Sequence, residues 1–422
     1  MIPGETLDEI LESLDLSRAQ PGAGFLEALF TRFNARVPFE NATKILRDRE
    51  VADPAAKPRL PEIFWADHLA FGSGGTCFAR VAAFDALLTA LGFRTRRLLG
   101  KVGRDFDHAG LAVETPAGEV IADVGFPLPG LIPPGAERVD TTLAELAVEK
   151  TERGIRVEWQ DGVPEGPRAL ELFAPTVTED EYATQWRRTF APGSRFLTLF
   201  SMRRDLDNRT VSYAEAEIRV DDRHSRLRIP VAPAAAPRLL AEVFGIEEEL
   251  LERALAAFGE NSPPSTEATL SAPSSTATLT AYLEVAAAPA EAYARIATPA
   301  AYRRLVEGVA EVISEESAPT AGGFRVVLGA PGRLPDSREQ ASDDLIPDPA
   351  ALRMRQERRT SSGVPARSAW AAQARDGRTY LLRELFLQRS QEDLLGFLRN
   401  DSMRGRLAGA LALDLLAWAR LL

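Results

Sequence analysis

The amino-acid sequence predicts an α+β protein built from two units. Three observations support this prediction. The first 258 residues open with amphipathic helical patterns and continue mostly with β patterns. A segment rich in Ser and Pro follows, whose composition cannot bury enough apolar surface to order itself. Beyond it the pattern starts again with a strand. We therefore predict domains at 1–262 and 276–422, joined by a linker at 263–275.

Composition restricts the class of protein. The chain of 422 residues is longer than one ordinary domain, and 45% hydrophobic residues suffice for sizeable cores. A net charge of -11 argues against a nucleic-acid partner, because phosphate binding needs a basic surface. The single cysteine excludes an internal disulfide, which fits a reducing compartment. Neither a secretory signal nor a membrane span is visible, so we expect a cytoplasmic location.

The first unit begins with helical patterns. Amphipathic helices are predicted at 5–17 and 22–36, and Pro21-Gly22 separates them. Pro38-Phe39-Glu40-Asn41 is a break, and a short helix is predicted at Ile63–Leu69. Period-2 patterns and turn signals then predict strands, followed by helices at Ala236–Phe244 and Ile246–Phe258. These strands lie at Thr95–Val102, His108–Thr115, Val120–Val124, Gly154–Trp159, Ala169–Phe173, Phe196–Arg203 and Val211–Val220.

The second unit carries one helical stretch near its start and one helix at its end. The first runs from Pro289 to about Val306 and is broken near Pro299. The last is predicted over Asp401–Leu422, where apolar residues recur every three or four positions. The predicted strands are Ala277–Val285, Ala310–Glu316, Gly323–Leu328, Arg338–Leu345, Leu352–Gln356, Ala366–Ala374 and Thr379–Phe386. This order describes a sheet wrapped around a helix.

The only cysteine of the chain lies in the stretch Gly74-Gly75-Thr76-Cys77-Phe78. An apolar helical pattern starts immediately after it and stops at Gly92. Cys77 is therefore expected at a helix N-terminus, where free N–H groups and the helix dipole favour a thiolate. The alternative is a small buried apolar residue, since free cysteine is among the most buried residue types. Cys77 is thus a candidate nucleophile.

A cysteine nucleophile needs a base, and the chain holds three histidines. His108 begins one predicted strand and Asp123 lies near the end of the next, so a hairpin would bring the two side chains together. Thiolate, imidazole and carboxylate form an acyl-transfer arrangement. His68 lies in an apolar helix and is expected to be a packing residue, and His224 lies among charged residues of a surface turn. No metal-ligand spacing is visible.

Four motifs in this order resemble the arylamine N-acetyltransferase family over residues 1 to about 262. They are Pro38-Phe39-Glu40-Asn41, Gly74-Gly75-Thr76-Cys77-Phe78, His108-Ala109-Gly110-Leu111 and Asp123-Val124-Gly125-Phe126, with Ser194-Arg195-Phe196 as a further similarity. The resemblance implies a helical first region, a β-barrel and an α/β lid around a cysteine-protease-like core. It also implies transfer of an acetyl group from acetyl-CoA to an aromatic amine, without a metal.

The resemblance also assigns site residues. It implies a catalytic triad of Cys77 as nucleophile, His108 as base and Asp123 as the orienting carboxylate. It implies an acceptor pocket lined by Phe39, Phe126 and Leu128, and coenzyme contacts at Gly125 and Ser194. The chain departs from the family at three positions. Ser73 stands where Arg is usual, Ala79 where Glu or Gln is usual, and Val81 where Asn is usual.

Residues 276–422 resemble the START-like superfamily, which includes polyketide cyclases and Bet v 1-type proteins. The similarity lies in the order of elements and in the strand-to-helix opening Val285–Tyr293. It implies a helix-grip domain with a cavity for a hydrophobic ligand. An ordinary packed domain that stabilises the enzyme or makes it a dimer is the alternative, since fold alone does not settle function.

Four functional hypotheses follow. The first is an acyltransferase that forms a Cys77 thioester and acylates an aromatic amine or another hydrophobic acceptor. The second is an amide synthase that takes its acyl chain from an acyl carrier protein. The third is a non-catalytic binding protein, motivated by Ser73, Ala79 and Val81. A transglutaminase- or papain-like hydrolase shares the Cys–His–Asp order but does not predict Pro38–Asn41 or Asp123–Phe126.

Overall fold

A computed structural model describes most of the chain. The described residues are 2–160, 169–206, 208–261, 276–306, 311–317, 324–329, 341–360 and 366–388, with 407, 408, 411 and 415. The predicted linker and most of the predicted C-terminal helix lie outside them. The chain divides into two compact units, unit 1 of Met1–Arg223 with Val231–Pro273 and unit 2 of His224–Pro230 with Ser274–Leu422.

Unit 1 begins with five helices and a two-residue strand. They are α1 (Gly4–Ser13), α2 (Ala23–Arg36), β1 (Phe39–Glu40), α3 (Ala42–Glu50), α4 (Pro61–Phe71) and α5 (Cys77–Ala90). The predicted helices at 5–17, 22–36 and 63–69 are confirmed with small shifts of their ends. Helix α5 is buried along its whole first half, so it is the central helix of the unit.

An antiparallel sheet of seven strands follows and contacts α5. Its strands are β2 (Thr95–Lys101), β3 (Asp105–Thr115), β4 (Gly118–Ile121), β5 (Arg138–Asp140), β6 (Glu145–Lys150), β7 (Gly154–Trp159) and β8 (Ala169–Phe173). They are ordered β4-β3-β2-β8-β7-β6-β5, with β4 and β5 at the edges. Strand β4 ends at Ile121, so Asp123 lies in the loop after it rather than in the predicted strand Val120–Val124.

The rest of unit 1 corrects two predicted strands. It contains α6 (Glu179–Arg188), α7 (Arg195–Thr198), β9 (Met202–Leu206), β10 (Arg209–Ala214), β11 (Glu217–Asp221), α8 (Ala236–Phe244) and α9 (Glu248–Asn261), and β1, β9, β10 and β11 pair in that order. The predicted strand Phe196–Arg203 is wrong, because its first half is a helical turn. The predicted strand Val211–Val220 is a hairpin, whose turn residues Glu215 and Ala216 have positive φ angles.

In the part of unit 2 that the structure describes, eight strands form an antiparallel sheet, two short helices follow the second strand, and residues 407, 408, 411 and 415 are helical. The elements are β12 (Ser225–Pro230), β13 (Thr276–Val285), α10 (Pro289–Ile296), α11 (Pro299–Val306), β14 (Glu311–Ser317), β15 (Phe324–Gly329), β16 (Ala341–Asp348), β17 (Arg353–Thr360), β18 (Ala366–Arg375) and β19 (Arg378–Gln388). The strands are ordered β12-β13-β19-β18-β17-β16-β15-β14. Strand β12 belongs to unit 2 although it precedes the predicted linker.

One face of the unit 2 sheet is buried and carries a polar cluster. Gln356 donates to the hydroxyl of Tyr302 on α11 at 2.9 Å. The carbonyl of the same amide accepts hydrogen bonds from Ser368 at 2.9 Å and Arg383 at 2.8 Å. The guanidinium of Arg383 also lies 4.1 Å from the centroid of the Trp370 ring. Hydrogen bonds thus hold α11 and three neighbouring strands together.

Among the helices of the described residues, none is long and apolar enough to cross a membrane.

Candidate active site

The turn before Cys77 is bonded to the strand that follows Pro38. The backbone N–H of Gly75 donates to the carbonyl of Pro38 at 3.3 Å, and that of Glu40 donates to the carbonyl of Gly75 at 3.1 Å. A Cβ atom at position 74 would lie 1.7 Å from the Pro38 carbonyl oxygen, so only glycine fits there. Backbone hydrogen bonds therefore join the Pro38–Asn41 motif to the Gly74–Phe78 motif, which lies about 35 residues later in the sequence.

Replacing Gly74 by alanine is expected to lower the free energy of unfolding by at least about 3 kcal/mol, because the added methyl group overlaps backbone. Urea denaturation measures the loss. Gly24→Ala in α2 is the matched control, since a Cβ there meets nothing within 4 Å. It should change stability by less than about 1 kcal/mol. Equal stability of the two variants would contradict the close contact of Gly74 with Pro38.

Cys77 is the first residue of α5, and Thr76 caps the helix in extended conformation. The cysteine is 6% exposed, and its Sγ atom lies 3.9 Å from the carbonyl oxygen of Asp107. The first N–H groups of a helix lack partners within it, and together with the helix dipole they stabilise negative charge. The nucleophile predicted from the sequence therefore lies at the start of the buried helix α5.

His108 and Asp123 form a buried hydrogen-bonded pair. The Nε2–H group of His108 donates to Oδ2 of Asp123 at 2.6 Å, and the two residues are 2% and 0% exposed. The other carboxylate oxygen accepts the backbone N–H groups of Gly125 at 2.8 Å and Phe126 at 3.1 Å. These bonds fix the carboxylate and occupy Nε2, so Nδ1 is the ring nitrogen that is not bonded to Asp123.

The register of β3 and β4 explains how this pair forms. Ala112 pairs with Ile121, so Asp123, two residues beyond, falls opposite Gly110. A Cβ at Gly110 would lie 3.5 Å from Cγ of Asp123, which is van der Waals contact, so the two residues lie next to each other across the sheet. His108 is two residues further along the same face of β3, which is within diagonal reach in an antiparallel sheet.

Cys77 and His108 meet at Gly125. A Cβ added to Gly125 would lie 3.1 Å from Cβ of Cys77 and 3.1 Å from Cε1 of His108. Burial alone lowers the pKa of His108, but the charge of Asp123 and the hydrogen bond to it outweigh burial. With the hydrogen bond and charge of Cys77 added, the pKa of His108 rises to about 10. The imidazole is therefore a strong base beside the thiol.

The other predicted site residues fall into two groups. Phe39 and Phe126 contribute to aromatic contacts, since Phe39 lies 5.2 Å from Phe196 and Phe126 lies 5.5 Å from Trp159 between ring centroids. Phe126 also stands edge-on to His108 at 6.5 Å. By contrast, Leu128 is 1% exposed and belongs to the hydrophobic core, and its backbone N–H donates to the carbonyl of Asp123.

Ser194 is the N-cap residue of the one-turn helix α7, which also carries Phe196. Its backbone carbonyl accepts the N–H of Leu197 at 2.8 Å, and its own N–H donates to Ala191 at 3.0 Å. Gly125, by contrast, lies directly between Cys77 and His108. A Cβ there would come within 2.3 Å of the carbonyl oxygen of Ala109, so glycine is required at this position too.

Three buried cations near the site were not predicted from the sequence. Arg80 donates to the carbonyl of Val124 at 2.7 Å, to the carbonyl of Val37 and to the side chain of Asn34 at 2.8 Å. Arg59 contacts the cysteine turn, as described below. The burial of an arginine could not be predicted from the sequence for two reasons. Arginine is common throughout this chain, and an arginine inside an apolar helical pattern gives no signal of burial.

Lys44 is the third of these cations. Its Nζ atom donates to the hydroxyl of Thr189 at 2.6 Å and lies 4.4 Å from the centroid of the Phe190 ring. Burial lowers the pKa of Lys44 to about 8, against the opposing charges of Cys77 and Asp48. Lys44 is therefore a buried cation of α3 that a hydroxyl group and an aromatic ring hold in place.

The remaining histidines match their predicted structural roles where they are described. The Nδ1–H group of His68 donates to the carbonyl of Ser73 at 2.8 Å, and burial lowers the pKa of this histidine to about 4. The backbone carbonyl of His224 accepts a bond from Tyr282. Within the described part of the chain, no group of three or more His, Cys, Asp or Glu residues could hold a metal ion.

Residues 24–141 match a family model described as N-acetyltransferase. A search of curated protein sequences finds no match. Among solved structures, the arylamine N-acetyltransferase of Mycobacterium marinum is similar over 60% of this chain and 98% of its own, with 21% identity and a TM-score of 0.54. That from Salmonella typhimurium is similar over 61% of this chain and 100% of its own, with 21% identity and a TM-score of 0.52.

The Mycobacterium marinum enzyme also matches in its complex with CoA, over 59% of this chain and 98% of its own, with 20% identity and a TM-score of 0.51. At these identities the likeness concerns the fold. About 60% of the chain thus has the fold of the arylamine N-acetyltransferases.

Proposed function

We propose that this chain is a cysteine-dependent N-acyltransferase that moves an acetyl group from acetyl-CoA, through a Cys77 thioester, to an aromatic amine. The observation that supports this most directly is the buried His108–Asp123 pair, which converges with Cys77 on Gly125 at a helix N-terminus. The match of residues 24–141 to the N-acetyltransferase family and the fold similarity support the same reaction class. The CoA complex of a structural relative supports the acyl donor.

The first half of the reaction transfers the acyl group to the enzyme. The Cys77 thiolate attacks the carbonyl carbon of the acetyl thioester and forms a new C–S bond. The bond to the CoA sulfur then breaks, and that sulfur takes the proton held by Nδ1 of His108. Asp123 stabilises the imidazolium that exists before this proton transfer. The raised pKa of His108 suits this role, because the imidazole carries the proton at neutral pH.

The second half releases the product. The amine nitrogen attacks the carbonyl carbon of the Cys77 thioester and forms the amide bond. The amine proton moves to His108, and the bond to Sγ breaks with the electron pair returning to sulfur as thiolate. Water must be kept away at this stage, since it would hydrolyse the thioester. The burial of all three side chains supports that requirement.

We assign acceptor binding to the aromatic side chains Phe39 and Phe126, with Leu128 behind them in the core. The ring of Phe126 stands edge-on to His108, and an edge-to-face contact with Trp159 holds it in place. A flat aromatic amine can stack on such rings. We also assign coenzyme contacts to Gly125 and Ser194. At Gly125 the absence of a side chain leaves room beside Cys77, which the acyl donor must approach closely.

We further propose that residues 276–422 form a helix-grip domain that holds a hydrophobic acceptor or product, with the linker at 263–275 and the transferase domain at 1–262. The eight-stranded antiparallel sheet with one buried face supports this. Titration of the full chain with the apolar dye anilinonaphthalene sulfonate tests it. We expect saturable binding that Trp370→Phe weakens. Absence of saturable binding would favour a purely packed domain.

Incubation with acyl donors tests the main proposal. Acetyl-CoA should leave one acetyl group on Cys77, detected by the mass of the intact chain and located by peptide mapping. An aromatic amine should then remove that group as its acetamide. A carrier-protein thioester offered in parallel distinguishes the amide-synthase alternative, which requires acylation from the carrier alone. Failure of both donors to acylate Cys77 would favour a binding protein on a transferase scaffold.

A further inference from the structure

Arg59 is a buried arginine from outside the sequence motifs. It precedes α4 by two residues, and its side chain is 4% exposed. A guanidinium removed from water is costly unless its donors are bonded. Its position in the core therefore needs an explanation in terms of its contacts.

These contacts converge on the turn that leads to Cys77. One terminal nitrogen donates to the carbonyl of Gly74. The other lies 3.3 Å from the hydroxyl of Ser73 and 3.0 Å from a carboxylate oxygen of Asp67. The Cζ atom of the guanidinium lies 4.8 Å from the centroid of the Phe64 ring. Asp67 and Phe64, both on α4, thus hold the guanidinium in place. The guanidinium then binds Ser73 and Gly74 of the turn that precedes Cys77.

The same guanidinium also reaches the strand that lies under this turn. Oε1 of Glu40 is 4.0 Å from the Arg59 nitrogen that bonds Gly74. The carboxylate of Glu40 is itself bonded to the backbone and hydroxyl of Thr43 at 2.9 and 2.6 Å. A Cβ at Gly75 would lie 3.4 Å from Arg59, so the contact extends along the turn. Arg59 therefore links α4, the cysteine turn and β1.

We propose that Arg59 is a positioning residue of the active site, which fixes the Ser73–Thr76 turn and thereby the placement of Cys77 at the start of α5. Ser73 stands where the resembling family usually carries Arg, and its hydroxyl is bonded to the guanidinium of Arg59. Arg59 thus supplies from the preceding loop a cation that the motif itself lacks. The inference rests on the proposed role of Cys77 as nucleophile.

The test measures the reactivity of Cys77 without any acyl donor. Alkylation by iodoacetamide is followed between about pH 5.5 and 9 in wild type, Arg59→Lys and Arg59→Ala. Lysine keeps the charge but lacks the planar fork that reaches Gly74, Ser73 and Asp67 together. We expect the alkylation rate at about pH 6.5 to fall by about 10-fold to 100-fold in Arg59→Lys, because small misplacements of a reacting group cost this much.

A positional exchange separates positioning from simple stability. In the double variant Arg59→Ala with Ser73→Arg, the new guanidinium can occupy the space that Arg59 vacates. We expect it to restore the alkylation profile at low pH to within about 3-fold of wild type, since the bonds to the turn are re-formed. Arg47→Ala is the control, because Arg47 bonds the carbonyls of Ala56 and Lys57 and not the cysteine turn.

Two results would overturn the inference. A wild-type alkylation profile in Arg59→Lys would mean that the planar guanidinium of Arg59 does not position Cys77. A reactivity loss that the exchange variant does not recover would mean that Arg59 only stabilises the fold. Acetylation by acetyl-CoA is measured in parallel. The Arg59 variants could alter alkylation as expected while acetyl-CoA fails to acetylate wild type. That result would reject the proposed reaction and leave the positioning role of Arg59 supported.

Discussion

Replacing Cys77 by alanine is expected to lower acetyl transfer to an aromatic amine by at least about 10⁴-fold, which leaves no measurable activity. The reason is that every step of the proposed reaction passes through the Sγ atom, and no other cysteine exists in the chain to replace it. Steady-state formation of the acetamide, measured with acetyl-CoA and an arylamine, provides the rate. The mass of the intact variant after incubation with acetyl-CoA should be unchanged.

The control for this variant is Cys77→Ser. Serine keeps the size and the polar atom, but its hydroxyl is not ionised beside His108 as a thiol can be, so we expect a similar loss of turnover. Both variants should unfold within about 1 kcal/mol of wild type in urea, because the side chain is small. Full acetyl transfer by a folded Cys77→Ala protein would eliminate the thioester mechanism.

Asp123→Asn is expected to lower acetyl transfer by about 10³-fold to 10⁴-fold. The carboxylate accepts the Nε2–H of His108 and two backbone N–H groups, and its charge holds the imidazolium. An amide keeps the shape but removes that charge, so the pKa of His108 falls and Cys77 loses a cationic neighbour. Alkylation of Cys77 at about pH 6.5 should slow, while alkylation near pH 9 approaches that of wild type.

The same variant should change the dependence of stability on pH. The pKa of His108 is raised from 6.5 to about 10 in the fold, so the pair stabilises the protein fully below about pH 6.5. This contribution is lost as the pH rises through about 10. The difference in unfolding free energy between wild type and Asp123→Asn should therefore be largest near pH 6 and shrink towards about pH 10, as measured by urea denaturation at several pH values.

Asp85→Asn is the matched control for Asp123→Asn. Asp85 lies on the same helix as Cys77 and bonds Arg97 at 2.6 Å, without contact to His108. Its replacement should lower stability and leave the pH profile of alkylation unchanged. If the two asparagine variants have the same alkylation profile, the charge of Asp123 does not control the histidine.

Much of the fold could be predicted from the sequence because its helices have clear apolar faces. Helices α1, α2 and α5 and most strands fall within a few residues of the prediction. The elements that were missed have weak patterns. Helix α3 carries five charged residues among nine, and the predicted strand at 196–203 begins with residues that local hydrogen bonds fold into a helical turn. Tertiary contacts override weak local preference in such segments.

The sequence by itself predicts which side chains could carry out the proposed acyl transfer. One cysteine after two glycines, one histidine at a strand start and one aspartate fifteen residues later follow from spacing and residue type alone. The nearness of His108 to Asp123 also followed from the hairpin, since antiparallel neighbours lie across a ladder.

Only the tertiary structure decided what holds these groups in place. It showed that Gly125 leaves the space in which Cys77 and His108 approach each other, and that Arg59 and Arg80 bond backbone carbonyls of the motifs. Sequence could not reveal this, because an arginine reaches several ångströms from its own backbone. Its partners are set by which segments the core packs together, not by their distance along the chain.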